Sequence, residues 1–227
     1  AQAQQLAAAG RPFIFLTGEK PKGDFPFPWK LVPGLNYDEI CPNLKNAYPE
    51  ITLWHFHNPS LGKNSSLTHR IDQLAKSGEQ LLLHLHDFAE DGRPENFKRI
   101  RHRDRLYPIG PRIRYALINT RDREILTRAG IPQRWATWVG NPVCAPASIT
   151  RKPTSCPLLF YPVRCIRRKN PGEAVLLAAV AKKSGLRVEI AVALDADTPT
   201  QQAYLRPWKK LAQELALPIH FGVVGRD

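Results

Sequence analysis

Four cationic side chains fall within six residues of the stretch "FYPVRCIRRKNPGEAV", at Arg164, Arg167, Arg168 and Lys169. The apolar run "LLFYPV" precedes them and the run "GEAVLLAAV" follows. A strand that ends in a basic loop and then enters a helix sets cations beside a helix amino terminus, where backbone N–H groups and the macrodipole favour an anion. A diphosphate suits that position. Arg164 would grip phosphate oxygens through its planar fork, and Lys169 would add a mobile point charge. Arg167 and Arg168 read as solvated charges.

A second group with chemical potential is the histidine pair in "HLHDFAEDGRPENF", His84 and His86, followed at once by Asp87. Two histidines separated by one residue share a strand face, and the common fate of such rings is a hydrogen bond to neighbouring backbone. A metal would need a third ligand; none stands at a suitable spacing, so no metal is expected. The loop "NPSLGKNSSL" places Gly62, Lys63, Asn64 and Ser65 between a strand and a helix. It lacks the GxxxxGK[ST] spacing of a nucleotide-binding P-loop, which leaves Lys63 and Asn64 as acceptor-side or structural positions.

The elements that must position these groups alternate as in an α/β protein. "PFIFLTG", "ITLWHFHN", "EQLLLHLHDF" and "RIRYALINT" read as buried strands. "SSLTHRIDQLAKSG" reads as a helix: Leu67, Ile71 and Leu74 recur at helical spacing, Ser66 is the expected N-cap and Gly78 the stop. A strand, a helix of that length and another strand make a βαβ unit with parallel pairing. "RDREILTRAGIP" is a second short helix. The proline-rich and small polar segment "CAPASITRKPTSCP" then interrupts the pattern as a linker. Beyond it the rhythm resumes, with strands "LLFYPV", "RVEIAVAL" and "IHFGVVG" around the helices "GEAVLLAAVAKKSG" and "TQQAYLRPWKKLAQELA", the latter expected to kink at Pro207.

Lys and Arg number 33 against 20 Asp and Glu, a formal charge of +13 that favours an anionic partner. The stretch "ENFKRIRHRDRLYP" adds to that excess and reads as a solvated face. No apolar run reaches the roughly 18 residues that a membrane span requires. Cys41, Cys144, Cys156 and Cys165 form no CxxC pair and read as reduced thiols. The opening "AQAQQLAAAG" is helix-like and lacks the features of a signal peptide. Methionine is absent from the 227 residues.

Arg164 and Lys169, five apart between a strand and a helix, resemble the Arg and Lys that open the C-terminal domain of GT-B glycosyltransferases of the retaining, family-4-like group. The glycine usual before that Arg is Val163 here. "HLHDF" resembles the His-containing loop of the same enzymes, and "RIRYALINTRDREILTRAGIPQRWATWVGNPV" resembles the last strand, helix and interdomain crossing of their N-terminal domain, ending at Asn141-Pro142-Val143. The resemblance implies two Rossmann-like α/β domains, the second incomplete: an N-terminal domain over 1–145, a linker over 146–156 and the first part of a nucleotide-sugar-binding domain over 157–227. It implies diphosphate binding by Arg164 and Lys169, catalytic positions at His86 and Asp87, and an acceptor side that includes Lys63, Asn64 and Arg93.

The activity so implied is transfer of a sugar from a nucleotide-diphosphate donor to an unknown acceptor with retention of configuration. Neither a cofactor nor a metal is expected, the donor being a substrate. The setting is cytoplasmic with peripheral contact to anionic membrane, and nucleic acid is the less expected partner. The family's glycine-rich loop after the first strand and its late acidic motif are not found. With the missing methionine, this leads to the expectation of a chain that lacks pieces. Two other readings stay open, a nucleotide-sugar epimerase of the same architecture and a non-catalytic polyanion-binding module.

Overall fold

The computed structural model describes residues 2–21, 23–35, 40–91, 94–100, 106–142 and 156–224. The chain divides into two units, Ala1–Pro146 and Ala147–Asp227. Both are mixed α/β with parallel sheets.

The first unit opens with α1 (Gln2–Ala8), which buries none of its residues. The strands β1 (Phe15–Thr17) and β2 (Trp29–Leu31) pair in parallel as a separate two-stranded sheet. Phe13, Phe15, Phe25 and Phe27 pack there with ring centroids 5.1–6.2 Å apart. After the single turn α2 (Leu44–Ala47) come β3 (Leu53–His57), α3 (Ser65–Lys76), β4 (Gln80–Leu85), α4 (Pro94–Ile100), β5 (Ile113–Leu117), α5 (Thr120–Arg128) and β6 (Ala136–Trp138). β3 to β6 form one parallel sheet in sequence order. One face carries Trp54, Leu81, Leu83, Leu85, Ile113, Tyr115 and Leu117 into a core shared with Ile71 and Leu74 of α3 and Leu126 of α5. Period-two alternation on the strands and period-3.6 spacing on the helices meet at that core, as the sequence pattern requires.

The cap of α3 lies two residues before the one its sequence indicates. Asn64, not Ser66, is the N-cap: its side-chain oxygen accepts from the Leu67 N–H at 3.0 Å, while its amide donates to the Gly34 carbonyl at 2.9 Å. Ser66 Oγ instead accepts from the Cys41 N–H. An Asn cap satisfies a helix donor and ties a distant loop at once, which a Ser at this position does not. Gly78 does end the helix, with φ of +77°.

The second unit comprises β7 (Leu158–Arg164), α6 (Pro171–Lys183), β8 (Glu189–Leu194), α7 (Pro199–Glu214) and β9 (Ile219–Phe221), with parallel strand order β7-β8-β9. α7 runs through Pro207 as a single helix. Its core gathers Val175 and Ala178 of α6, Ile190 and Val192 of β8, and Leu205 and Ala212 of α7. Gly172, in the first turn of α6, is buried against α7, and a Cβ there would sit 2.7 Å from the Trp208 ring. Gly172→Ala is therefore expected to push the amino end of α6 off Trp208 and to destabilise the chain by about 1–3 kcal/mol, read from urea unfolding.

Candidate functional site

β3 and β4 are adjacent and parallel, with His57 opposite His84 and His55 opposite Leu82. Paired residues share a face, so His55, His57 and His84 lie together on the side of the sheet away from the core, and the chain brings in His86 just past the end of β4. Ring centroids are 4.3 Å apart for His55 and His57, 5.0 Å for His57 and His84, and 4.6 Å for His84 and His86. His86 Nε2 lies 3.4 Å from His57 Nδ1. The third imidazole that the spacing of His84 and His86 does not supply comes from the neighbouring strand. One coordinating atom each from His55, His57 and His84 falls within 4.8 Å of the others.

His84 is 1% exposed, and neither of its ring nitrogens makes a hydrogen bond. The backbone satisfaction expected from the sequence is not found. The Val139 backbone lies near but not in hydrogen-bonding geometry. Burial, followed by the mutual repulsion of the rings, pushes His55, His57 and His84 down to about 4. Near neutral pH they are neutral imidazoles, each with a free lone pair.

The loop after β4 is held by a residue whose role sequence reasoning missed. Asn58 ends β3 in the left-handed region, at φ of 54°. Its side-chain oxygen accepts from the backbone N–H groups of both His86 and Asp87, at 3.2 and 3.1 Å. Its own N–H donates to the His84 carbonyl at 2.7 Å. Its amide reaches Asp87 Oδ2 at 3.4 Å, and Ser60 Oγ donates to the Asp87 carbonyl at 2.9 Å. His86 and Asp87 are thus locked to the turn after β3. That turn leads through Gly62, whose bare Cα faces Ile100 of α4, to the exposed Lys63 and the buried cap Asn64. Arg93 lies outside the described residues, as do Val143 of the crossing, Cys144 and residues 101–105 of the basic stretch.

In the second unit, Arg164 ends β7 and pairs with Leu194 across a register shift between Tyr161 and Arg164. Pro162 accounts for that bulge, since it has no N–H to give to the ladder. The Arg164 guanidinium stands 3.7 Å from Asp197 Oδ2, both groups largely exposed. Lys169 closes a 3-10 turn, Arg167–Lys169, directly before α6, and its carbonyl accepts from the Tyr161 hydroxyl at 2.7 Å. Both cations therefore sit at the carboxyl end of β7, where the positive end of the α6 dipole also points. Arg167 and Arg168 are exposed. Among the described residues, no helix is long and apolar enough to cross a membrane.

No protein-family model matches the chain. It is 30% identical over 200 residues to mannosylglucosyl-3-phosphoglycerate synthase of Petrotoga mobilis, covering 78% of this chain and 38% of that protein. Among solved structures it is similar to a glycosyltransferase from Rickettsia africae, with a TM-score of 0.60 and 14% identity over 96% of this chain and 62% of that one. It is also similar to Anabaena HepE in complex with UDP-glucose, with a TM-score of 0.56 and 13% identity over 88% and 56% of the two chains. The chain thus spans under two thirds of the length of each of these relatives. At these identities the structural likeness establishes the fold, a mixed α/β architecture with parallel sheets of the kind glycosyltransferases use.

Because the folded-state values of the three histidines lie below their ordinary 6.5, the unfolded chain takes up protons between about 6.5 and about 4 that the folded chain does not. Stability of the chelator-treated protein is expected to be full above that window and to fall as pH drops through it. His57→Gln should flatten the slope of melting temperature against pH; an unchanged slope would show that these rings are not what titrates.

Proposed function

We propose that this chain carries the N-terminal unit and the leading part of the donor-binding unit of a GT-B glycosyltransferase. In this reading both units are Rossmann-like, and a sugar passes from a nucleotide-diphosphate donor to a separate acceptor with retention of configuration. The observation that carries the reading is the placement of Arg164 and Lys169 at the carboxyl end of β7, beside the amino end of α6. The sequence similarity to a synthase that builds a glycosyl phosphoglycerate supports it, as does the structural likeness to a UDP-glucose complex.

As the bond between sugar and diphosphate breaks, negative charge grows on the leaving oxygens. Fixed cations aimed at that position lower the barrier without having to reorganise. Arg164, Lys169 and the α6 dipole would supply that field, and the transfer step itself would need no metal. Asp197 holds the Arg164 guanidinium at 3.7 Å, and the donor diphosphate would take its place. His86 would orient the transferred sugar, and Asp87 would act beside it; the Asn58 bonds to both backbone N–H groups keep that loop in place. Lys63 and Asn64 would border the acceptor, and Arg93 is assigned the same side. A phosphorylated glycerate, named in the Petrotoga relative, is the first acceptor class to try. The cytoplasmic setting, with peripheral membrane contact, belongs to the same proposal.

Calorimetric titration of the intact chain with UDP, GDP and ADP at two salt concentrations tests the donor site. One nucleotide should bind selectively, and Arg164→Ala and Lys169→Ala should each weaken it by about 1–3 kcal/mol, the range for charge-assisted bonds. Asp197→Asn should preserve or strengthen binding, because it removes the carboxylate that competes for Arg164. Equal, salt-sensitive binding of all three nucleotides, unchanged by the two cation substitutions, would instead favour a non-specific polyanion surface.

A further inference from the structure

We propose that His55, His57 and His84 form a binding site for a first-row divalent transition metal of the zinc class, with its fourth coordination position open. One coordinating nitrogen from each of the three residues lies within 4.8 Å of the others, on two strands whose register is set by the backbone ladder. The second, independent observation is His84: 1% exposed, with both ring nitrogens lacking a hydrogen-bond partner. A buried imidazole without a partner costs free energy unless something binds it, and the His55 and His57 rings stand beside it with centroids 5.6 and 5.0 Å away.

The chemistry of the donor set selects the ion. Three neutral nitrogen ligands and no carboxylate suit zinc, copper, nickel or cobalt, and discriminate against magnesium and calcium, which take oxygen. Bonds of about 2.0–2.1 Å in a tetrahedral set bring the nitrogens to about 3.4 Å from one another. His84 is fixed by burial, whereas His55 and His57 are exposed, so rotation of these two rings closes the set around an entering ion. The exposed side is also the entry path. His86, 3.4 Å from His57 Nδ1, stands as the outer hydrogen-bonding partner that orients a ligating ring. Three protein ligands and one open position match sites that bind an exchangeable water or a ligand oxygen, not closed structural sites.

Such an ion would be distinct from the diphosphate cations Arg164 and Lys169, which belong to the other unit. The inference therefore stands apart from the transfer reading and is read by metal binding alone. The intact chain, stripped with chelator and held near neutral pH, is titrated with Co2+ while visible ligand-field absorption is recorded, and then with Zn2+ in competition. One equivalent of Co2+ per chain should produce a saturable visible band that Zn2+ abolishes. His55→Ala and His57→Ala, both at exposed positions and checked for folding by circular dichroism, should each weaken Co2+ binding by at least about ten-fold. His220→Ala, which removes a ring paired with Glu189 in the second unit, should change nothing. Absence of a saturable band, or affinity retained by either of the two variants, would overturn the three-histidine site.

Discussion

The parallel pairing of β3 with β4 governs the carboxyl edge of the first unit, because it aligns the end of "WHFHN" with the end of "LHLHD" so that His57 faces His84. A parallel pair needs a crossover, and α3 provides it, buried on the core face through Ile71 and Leu74. The opposite face is then left to the histidines. A slip of one residue in register would send one of the two histidine sets into the apolar core and Leu83 or Phe56 outward, so core packing and site geometry are specified by the same ladder. Asn58 extends this alignment beyond the strands. It adopts a left-handed conformation that few side chains other than Asn tolerate, and from it one amide side chain holds both N–H groups of the following loop.

The two candidate sites obey opposite electrostatic rules. In the first unit His55, His57 and His84 are kept neutral, since burial and close packing of like rings both penalise the imidazolium form. Neutral nitrogens with free lone pairs are electron donors, suited to an ion or to a polar ligand's hydrogen atoms. In the second unit Arg164 and Lys169 are charged and reach solvent, in a position where the α6 dipole adds to their field. Proline chemistry sets this position twice. Pro162 breaks the ladder and re-aims the end of β7, and Pro171 starts α6 at a point where its missing N–H costs nothing.

Packing around these sites is unequal in a way that fits their roles. His84 is buried with two polar atoms unpaired, a local cost of about 1–3 kcal/mol that the core of Leu81, Leu83, Tyr115 and Leu117 on the other face of the sheet can carry. The amino end of α6 is likewise held tightly, with Gly172 lying against Trp208 and no room for a methyl group. Unmet polar demand at His84 and close packing at the start of α6 thus flank the strand ends, where ligands bind in open parallel sheets.

The alternation of apolar runs, the helix stops and the basic turn were legible in the sequence because each depends on a few neighbouring residues: Gly78 and Gly130 end helices, and Arg164 and Lys169 flank a strand-to-helix turn. Short elements were not legible. β2 and β6 have three residues each, too few for a period to show, and Asn64 outcompeted Ser66 as a cap through a bond to Gly34 thirty residues away. The two HxH segments are each visible in the sequence, at 55–57 and 84–86, but each alone is a pair of rings on one strand. Whether they meet depends on which strands are neighbours and in what register, and those are set by non-local hydrogen bonds and core packing. The sequence by itself determined which side chains stand at strand ends; only the tertiary structure decided that three of them bring a ring nitrogen within 4.8 Å of one another, because distance across a sheet is not encoded by distance along a chain.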